Sequence, residues 1–376
     1  MKSKRMVHLE CARGIASIIV VVHHFALAFT PSIKKMAWEG GLRYTPLYWL
    51  LNGDGAVIFF FVLSGFVLSL SFYKHFSTER LVSATLKRLP RLMVPAGASI
   101  FLGLVVLTST GSSYLRASEF SESGWLRDYG FAHLPPDLAP SVFDAARQSL
   151  FVFLHSNDFY YNSNLWTMVD EFYGSLLVFA IVALFGLAGV RSMRSIAIVH
   201  GILAAVFVVL HGAFVAFVAG SFLAFWWTHH AQDFRIKNGP SALLLFVAAC
   251  AYCSNIGAAN ILASLAVMAV LLGNESVAAR LSNRTGELLG IYSFPLYLVH
   301  TLVILSASSF VFANLTSQQV AQPLVLLATF VVTIVVSALA SWPFVRLDDI
   351  WVAWLNPRAK ALVRQLMLGT NVRTNK

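Results

Sequence analysis

Apolar residues dominate this chain in long blocks, and short polar stretches separate them. Ten runs are long enough, or nearly so, to cross a bilayer, which takes about 20 residues per helix. They lie at about 13–30, 55–73, 92–110, 165–187, 194–210, 212–228, 241–256, 258–273, 286–308 and 322–345. The pattern predicts an all-α, polytopic transmembrane bundle of about ten spans, with the fifth to eighth runs the shortest. Met-Lys-Ser-Lys-Arg precedes the first run, which lacks a small-residue cleavage site; it reads as a retained helix, not a signal peptide. No internal repeat is evident, which disfavours transporters built from two related halves.

The polar connections set the orientation. With the N-terminus inside, segments 1–13, 74–91, 188–194, 229–240, 274–285 and the tail from Arg346 fall on one side and hold 21 of the 27 basic residues. The other side holds six: Lys34, Lys35, Arg43, Arg116, Arg127 and Arg147. Such a bias places both termini in the cytoplasm. The expected organisation is a transmembrane domain over 1–345, with an outer loop at about 111–164, and a basic, amphipathic cytoplasmic tail over 346–376. Composition agrees: 58% of residues are hydrophobic, 12% are charged, and mean hydropathy is +0.72, against about 25% charged in soluble domains. The net charge of +10 is spread between apolar runs, so it reads as topology, not nucleic-acid binding.

Polar residues inside the runs point to chemistry, because ionisable groups are costly in a bilayer. Arg13 heads the first run, and His23 and His24 follow. In a helix Arg13 and His24 are about 16 Å apart and about 20° apart around the axis, whereas His23 is about 80° away on the other side. His24 is therefore the candidate general base. Lys87, Arg88 and Arg91 surround Pro90. That proline suits the first position of a new helix, and free N–H groups beside guanidinium forks would make an anion site. The bland reading is a topology anchor or a contact with anionic lipid.

Asp170 and Glu171 lie near the outer end of the fourth run; they form either a proton or polar-substrate site or the partners of buried cations. Asp54, in Asn52-Gly53-Asp54-Gly55, is a further outer-side candidate competing with a simple glycine turn. His300 follows Tyr297 after Pro295 and orients a neighbour more readily than it reacts. Trp125, Tyr129, Tyr160, Tyr161 and Trp166 could stack on sugars, or mark a membrane interface. His229-His230-Ala231-Gln232-Asp233 carries a His-x-x-x-Asp spacing but stands alone in a short polar loop. Cys250 and Cys253 are half a metal site without a second pair, so no metal is expected.

In order along the chain, these segments resemble the integral-membrane acyltransferase-3 family. Glu10-Cys11-Ala12-Arg13-Gly14 through His24 is similar to the family's opening, an arginine eleven positions before a histidine. Phe59-Phe60-Phe61-Val62-Leu63-Ser64-Gly65-Phe66 resembles its second-helix signature. Arg88-Leu89-Pro90-Arg91 resembles its paired-arginine motif, and Leu165-Trp166 through Glu171-Phe172 its Trp-to-Glu motif. Tyr292 through His300 resembles its near-C-terminal signature. The residues before Arg13 depart from the family's usual Asp-Gly-Leu-like stretch, and with about thirty basic, amphipathic residues after the last span no appended esterase-like domain is expected.

The resemblance implies transfer of a short acyl group, acetyl above all, from cytosolic acyl-CoA to a hydroxyl of an envelope or exported carbohydrate or glycolipid. It implies acetyl-CoA as donor substrate, with its phosphates at Arg13, Arg88 and Arg91. His24 would be the base, or would carry the acyl group itself, and Glu171 would position the acceptor or orient the imidazole. Asp54, Trp166, Asp170, Tyr297 and His300 are weaker candidates for substrate positioning. The competing class is a transporter or flippase of an anionic lipid-linked substrate, for which no thioester turnover is expected.

Overall fold

The computed structural model describes residues 6–109, 111–154 and 159–373. Lys2, Lys4, Arg5 and Lys376, counted in the charge bias, lie outside them. The described residues form helices joined by short turns, and each of the ten apolar runs has become one. In chain order they are α1 (Val7–Phe29), α2 (Gly53–Lys74), α3 (Thr78–Ser109), α4 (Ser113–Ser121), α5 (Gly124–Arg127) and α6 (Val142–Phe151). There follow α7 (Leu165–Leu187), α8 (Met193–Leu210), α9 (Ala213–His230), α10 (Asn238–Cys253), α11 (Gly257–Gly273) and α12 (Glu275–Leu281). The last are α13 (Arg284–Val303), α14 (Ser309–Ser317) and α15 (Gln322–Arg373), with one π-helical turn, Ile304–Ser308, between α13 and α14.

Seven of these helices are long and apolar enough to cross a membrane; α11 and α12, bent by 91°, make an eighth if they form one span. The expected sixth and seventh spans fall short. α10 has 16 residues, and α9 ends in Trp226-Trp227-Thr228-His229-His230, so its apolar part is shorter than the helix. One further boundary differs from expectation. Pro90 and Pro95 lie inside α3, which starts at Thr78, so no helix begins at Pro90. Proline is tolerated inside membrane helices where neighbours meet the backbone groups it frees. Within the segment 111–164 lie the short helices α4, α5 and α6. The tail after Val345 continues the helix of the last span.

The chain divides into two compact units. The first comprises residues 1–59, 95–169 and 236–345. In it α1 packs along α13, and the approach is close enough to need small residues, as at other helix contacts in membranes. A Cβ on Gly14 would stand 2.5 Å from the Cβ of Leu289. Asn52, just before α2, donates to the Tyr252 carbonyl on α10 and to Asn260 on α11, at 2.7 and 3.1 Å. These bonds tie the head of α2 to the α10–α11 pair.

The second unit comprises residues 60–94, 170–235 and 346–376. Ile181 and Phe185 of α7, Ile196 of α8, and Val218 and Phe225 of α9 form its buried apolar centre. Phe61 stacks on Phe217, with ring centroids 4.7 Å apart. The Trp351 indole donates to the Pro90 carbonyl at 2.8 Å, and the Lys87 ammonium to Asn356 at 3.1 Å, so α15 is fastened here by polar bonds.

Candidate functional site

The first unit brings His24 and His300 together. His24 Nδ1 lies 2.9 Å from His300 Nε2, and His300 is fully buried. On its other side, His300 Nδ1 faces the carbonyls of Leu296 and Tyr297, at 3.1 and 2.9 Å. A carbonyl can only accept, so in the neutral pair the proton of His300 sits on Nδ1 and its Nε2 accepts. His24 must then donate from Nδ1. This leaves the lone pair on His24 Nε2, the arrangement a general base needs.

The position of His300 is itself fixed. Asn162 donates to the Leu298 carbonyl at 2.9 Å, and Asn164 to the Tyr297 carbonyl and Thr301 hydroxyl at 2.9 and 2.8 Å. The Tyr297 hydroxyl donates to the Asn164 carbonyl at 3.1 Å and also meets Thr167. Tyr297, a candidate substrate contact from the sequence, is buried and serves to clamp α13. Asn162 and Asn164 had no assigned role in the sequence, since an asparagine before a span reads as an ordinary cap. Only the fold shows that they satisfy backbone groups around His300.

Around His24 the walls are aromatic. Its ring centroid is 5.1 Å from that of His23, 5.3 Å from that of Trp125 and 5.0 Å from that of His300. Trp125, Tyr129, Tyr160 and Tyr161 are buried, so they do not present open faces for sugars, whereas Trp166 is 50% exposed. His23 is held elsewhere. Its Nδ1 lies 2.7 Å from the Leu51 carbonyl and 3.0 Å from the Gly53 amide, so either tautomer finds a backbone partner. A Cβ on Gly53 would meet this ring at 2.5 Å, which is why glycine begins α2. The Lys34 ammonium stands 3.2 Å from the His23 ring nitrogens. Burial pulls the Lys34 amine down to about 8, with Arg43 acting in the same direction and Asp54 opposing. Asp54 is exposed and accepts from Asn255 at 3.0 Å.

Three turns from His24, Arg13 lies at the other end of the same helical stripe. Its Nε donates to Ser293 and its Nη2 to the Gly290 carbonyl, both at 2.8 Å. Nη2 is also 2.7 Å from the Glu10 carboxylate, and the two side chains are 35% and 26% exposed. α1 begins at Val7, six residues earlier than the apolar run suggested, and that extra turn and a half sets Glu10 beside Arg13.

The second unit holds the remaining candidates. Arg88 and Glu171, assigned by sequence to different roles, form an ion pair with side chains 10% and 16% exposed. Arg88 Nε donates to Ser175 and Ser64 donates to Glu171, each at 2.8 Å. Of the two readings for the adjacent carboxylates, Glu171 takes the partner of a buried cation. Asp170 accepts from His211 Nε2 at 2.8 Å, while Arg91 is exposed. His229 and His230 pack against Phe225 and Trp226 of their own helix.

No curated protein and no solved structure matches the chain. The acyltransferase-3 family model, described as an acyltransferase domain, matches residues 6–342, which include all the segments just described. With membrane-length helices and nearly full coverage, the chain belongs to this family of membrane acyltransferases.

Proposed function

We propose that the protein is an O-acyltransferase that moves an acetyl group from cytosolic acetyl-CoA to a hydroxyl of an envelope or exported carbohydrate. The observation that carries this reading is the hydrogen-bonded sequence from two backbone carbonyls through His300 to His24, which leaves His24 Nε2 unprotonated. In the reaction His24 Nε2 takes the proton of the acceptor hydroxyl as its oxygen attacks the thioester carbonyl. The C–S bond then breaks, and the imidazolium returns the proton to the leaving thiolate. Attack by His24 itself, giving an acyl-histidine, uses the same lone pair.

Donor phosphates suit exposed guanidinium groups, which bind them through two parallel N–H donors. Arg13, half-buried in the first unit, offers a guanidinium toward one end of the helix that carries His24. Arg88 is committed to Glu171, so we assign it to holding the second unit together. The bacterial inner membrane, with both termini cytoplasmic, is the orientation in which Arg13 meets a cytosolic donor.

The test is incubation of purified protein with radiolabelled acetyl-CoA and deacetylated envelope glycan. His24→Ala is expected to lower transfer at least about a hundredfold while keeping acetyl-CoA binding, and His23→Ala to cost far less. Near-normal transfer by His24→Ala at equal abundance refutes the mechanism. A wild-type protein that turns over no thioester returns the problem to the transporter class.

A further inference from the structure

The segment between α1 and α2 is folded on itself. Leu42 N donates to the Ile33 carbonyl at 2.8 Å, Arg43 N to the Lys35 carbonyl at 3.1 Å, and Ala37 N to the Arg43 carbonyl at 3.0 Å. Tyr44 follows with φ +68°, a left-handed conformation that is unusual for a bulky side chain. That geometry is pinned by a bond from Tyr44 N to the Cys253 carbonyl at 3.3 Å. Its product is a stacked pair: the rings of Trp38 and Tyr44 are 7° from parallel with centroids 5.7 Å apart. Burial does not explain the pair, because Trp38 is 72% and Tyr44 46% exposed. The Arg43 guanidinium stands 5.4 Å from the Tyr44 ring centre.

At the inner edge of the same segment is Lys34, 3.2 Å from His23, whose ring touches that of His24. One short folded loop therefore reaches from an open aromatic surface to the neighbour of the candidate base. We infer that Trp38 and Tyr44 form the outer part of the acceptor site, where the apolar face of a pyranose ring stacks and Arg43 donates to its oxygen atoms. The inference rests on the acyltransferase reading above and gives the acceptor a docking place. A saccharide is favoured over lipid because the two rings lie 7° from parallel with a guanidinium beside them, a flat face edged by N–H donors that a pyranose can use on both counts and an acyl chain cannot. The loop's own backbone bonds hold the surface before the ligand arrives, which lowers the ordering cost of binding.

The test compares wild type, Trp38→Ala, Trp38→Phe and Arg43→Gln in detergent, with deacetylated envelope glycan and radiolabelled acetyl-CoA as probes. Trp38→Ala is expected to raise the glycan KM about five- to tenfold, the effect of one lost stacking contact. Trp38→Phe should recover most of it, and the acetyl-CoA KM should not move. Arg43→Gln should also raise the glycan KM. Donor-free binding of the glycan is measured in parallel by interferometry. Weaker binding by Trp38→Ala alongside a wild type that transfers no acetyl group keeps the platform and overturns the acyltransferase reading. Transfer by wild type with an unchanged glycan KM in Trp38→Ala overturns the platform. So does quenching of Trp38 emission by brominated lipid with no change in glycan binding, which identifies a membrane anchor.

Discussion

Removing His300 tests the tautomer argument at its weakest link. In His300→Ala, His24 Nδ1 loses the acceptor 2.9 Å away that fixes its proton. One such hydrogen bond contributes about 0.5–1.5 kcal/mol net, and that is the bias toward the tautomer with Nε2 unprotonated. Losing it multiplies the population of the wrong tautomer by about two to thirteen, at about 1.4 kcal/mol per factor of ten. The ring also gains freedom to turn away from the acceptor. With the two tautomers then equally populated, the active form falls no more than about twofold, so turnover in His300→Ala should drop about twofold from the tautomer alone, well short of the loss in His24→Ala. His300→Gln, whose amide oxygen can accept from Nδ1, should recover most of the rate. The double variant His24→Ala, His300→Ala should be no slower than His24→Ala, because His300 acts only through His24. The assay is initial-rate acetyl transfer, with the acetyl-CoA KM read in the same series. If His300→Ala turns over at the wild-type rate, or if the two single losses multiply in the double variant, His24 does not depend on His300 for its proton.

Three further outcomes are expected. Arg88→Ala takes the cation from the part-buried Glu171 carboxylate, leaving the bond from Ser64, and should cost about 3–5 kcal/mol of stability; Arg88→Ala with Glu171→Gln should recover part, as measured by thermal unfolding in detergent, and equal losses would show that the pair is not coupled. Lys34 titrates at about 8 in the folded chain against 10.5 as its ordinary value, so between these values the unfolded chain binds more protons and stability should rise with pH; Lys34→Met should flatten that rise in thermal unfolding scans from pH 7.5 to 10.5. Cysteines introduced at the exposed Glu79 and at Ile236 should resist an impermeant maleimide added outside intact cells, while one at Glu122 should react; the reverse pattern puts Arg13 on the wrong side for a cytosolic donor.

The spans were legible because burial in lipid demands long apolar runs, and all ten runs became helices. Their ends were less so. α1 starts in the polar residues before Arg13, and α3 runs through Pro90, because terminal turns and prolines are settled by neighbouring groups such as the Trp351 indole. The stripe of Arg13 and His24 follows from helical period alone. The contact of His24 with His300 lies 276 positions apart, and no local pattern encodes it. Period could not pair Arg88 with Glu171 either, since the choice between a substrate site and an ion pair depends on which helices meet. Trp125 was read as a surface aromatic because it lies in a polar segment; the short helix α5 turns it inward against His24.

The carboxylate of Glu10 changes what occupancy at Arg13 would mean. With 2.7 Å between them, the arginine already has a counter-ion of its own. A phosphate arriving there does not simply leave water for a cation; it trades places with a tethered competitor held at high local concentration by the same helix. Apparent affinity for an anion at Arg13 would then be an exchange constant, the difference between two charge pairs, and it would favour a multiply charged ligand over a weakly charged one. The same carboxylate would offer a departing phosphate a way out, since Glu10 stands ready to recapture the arginine.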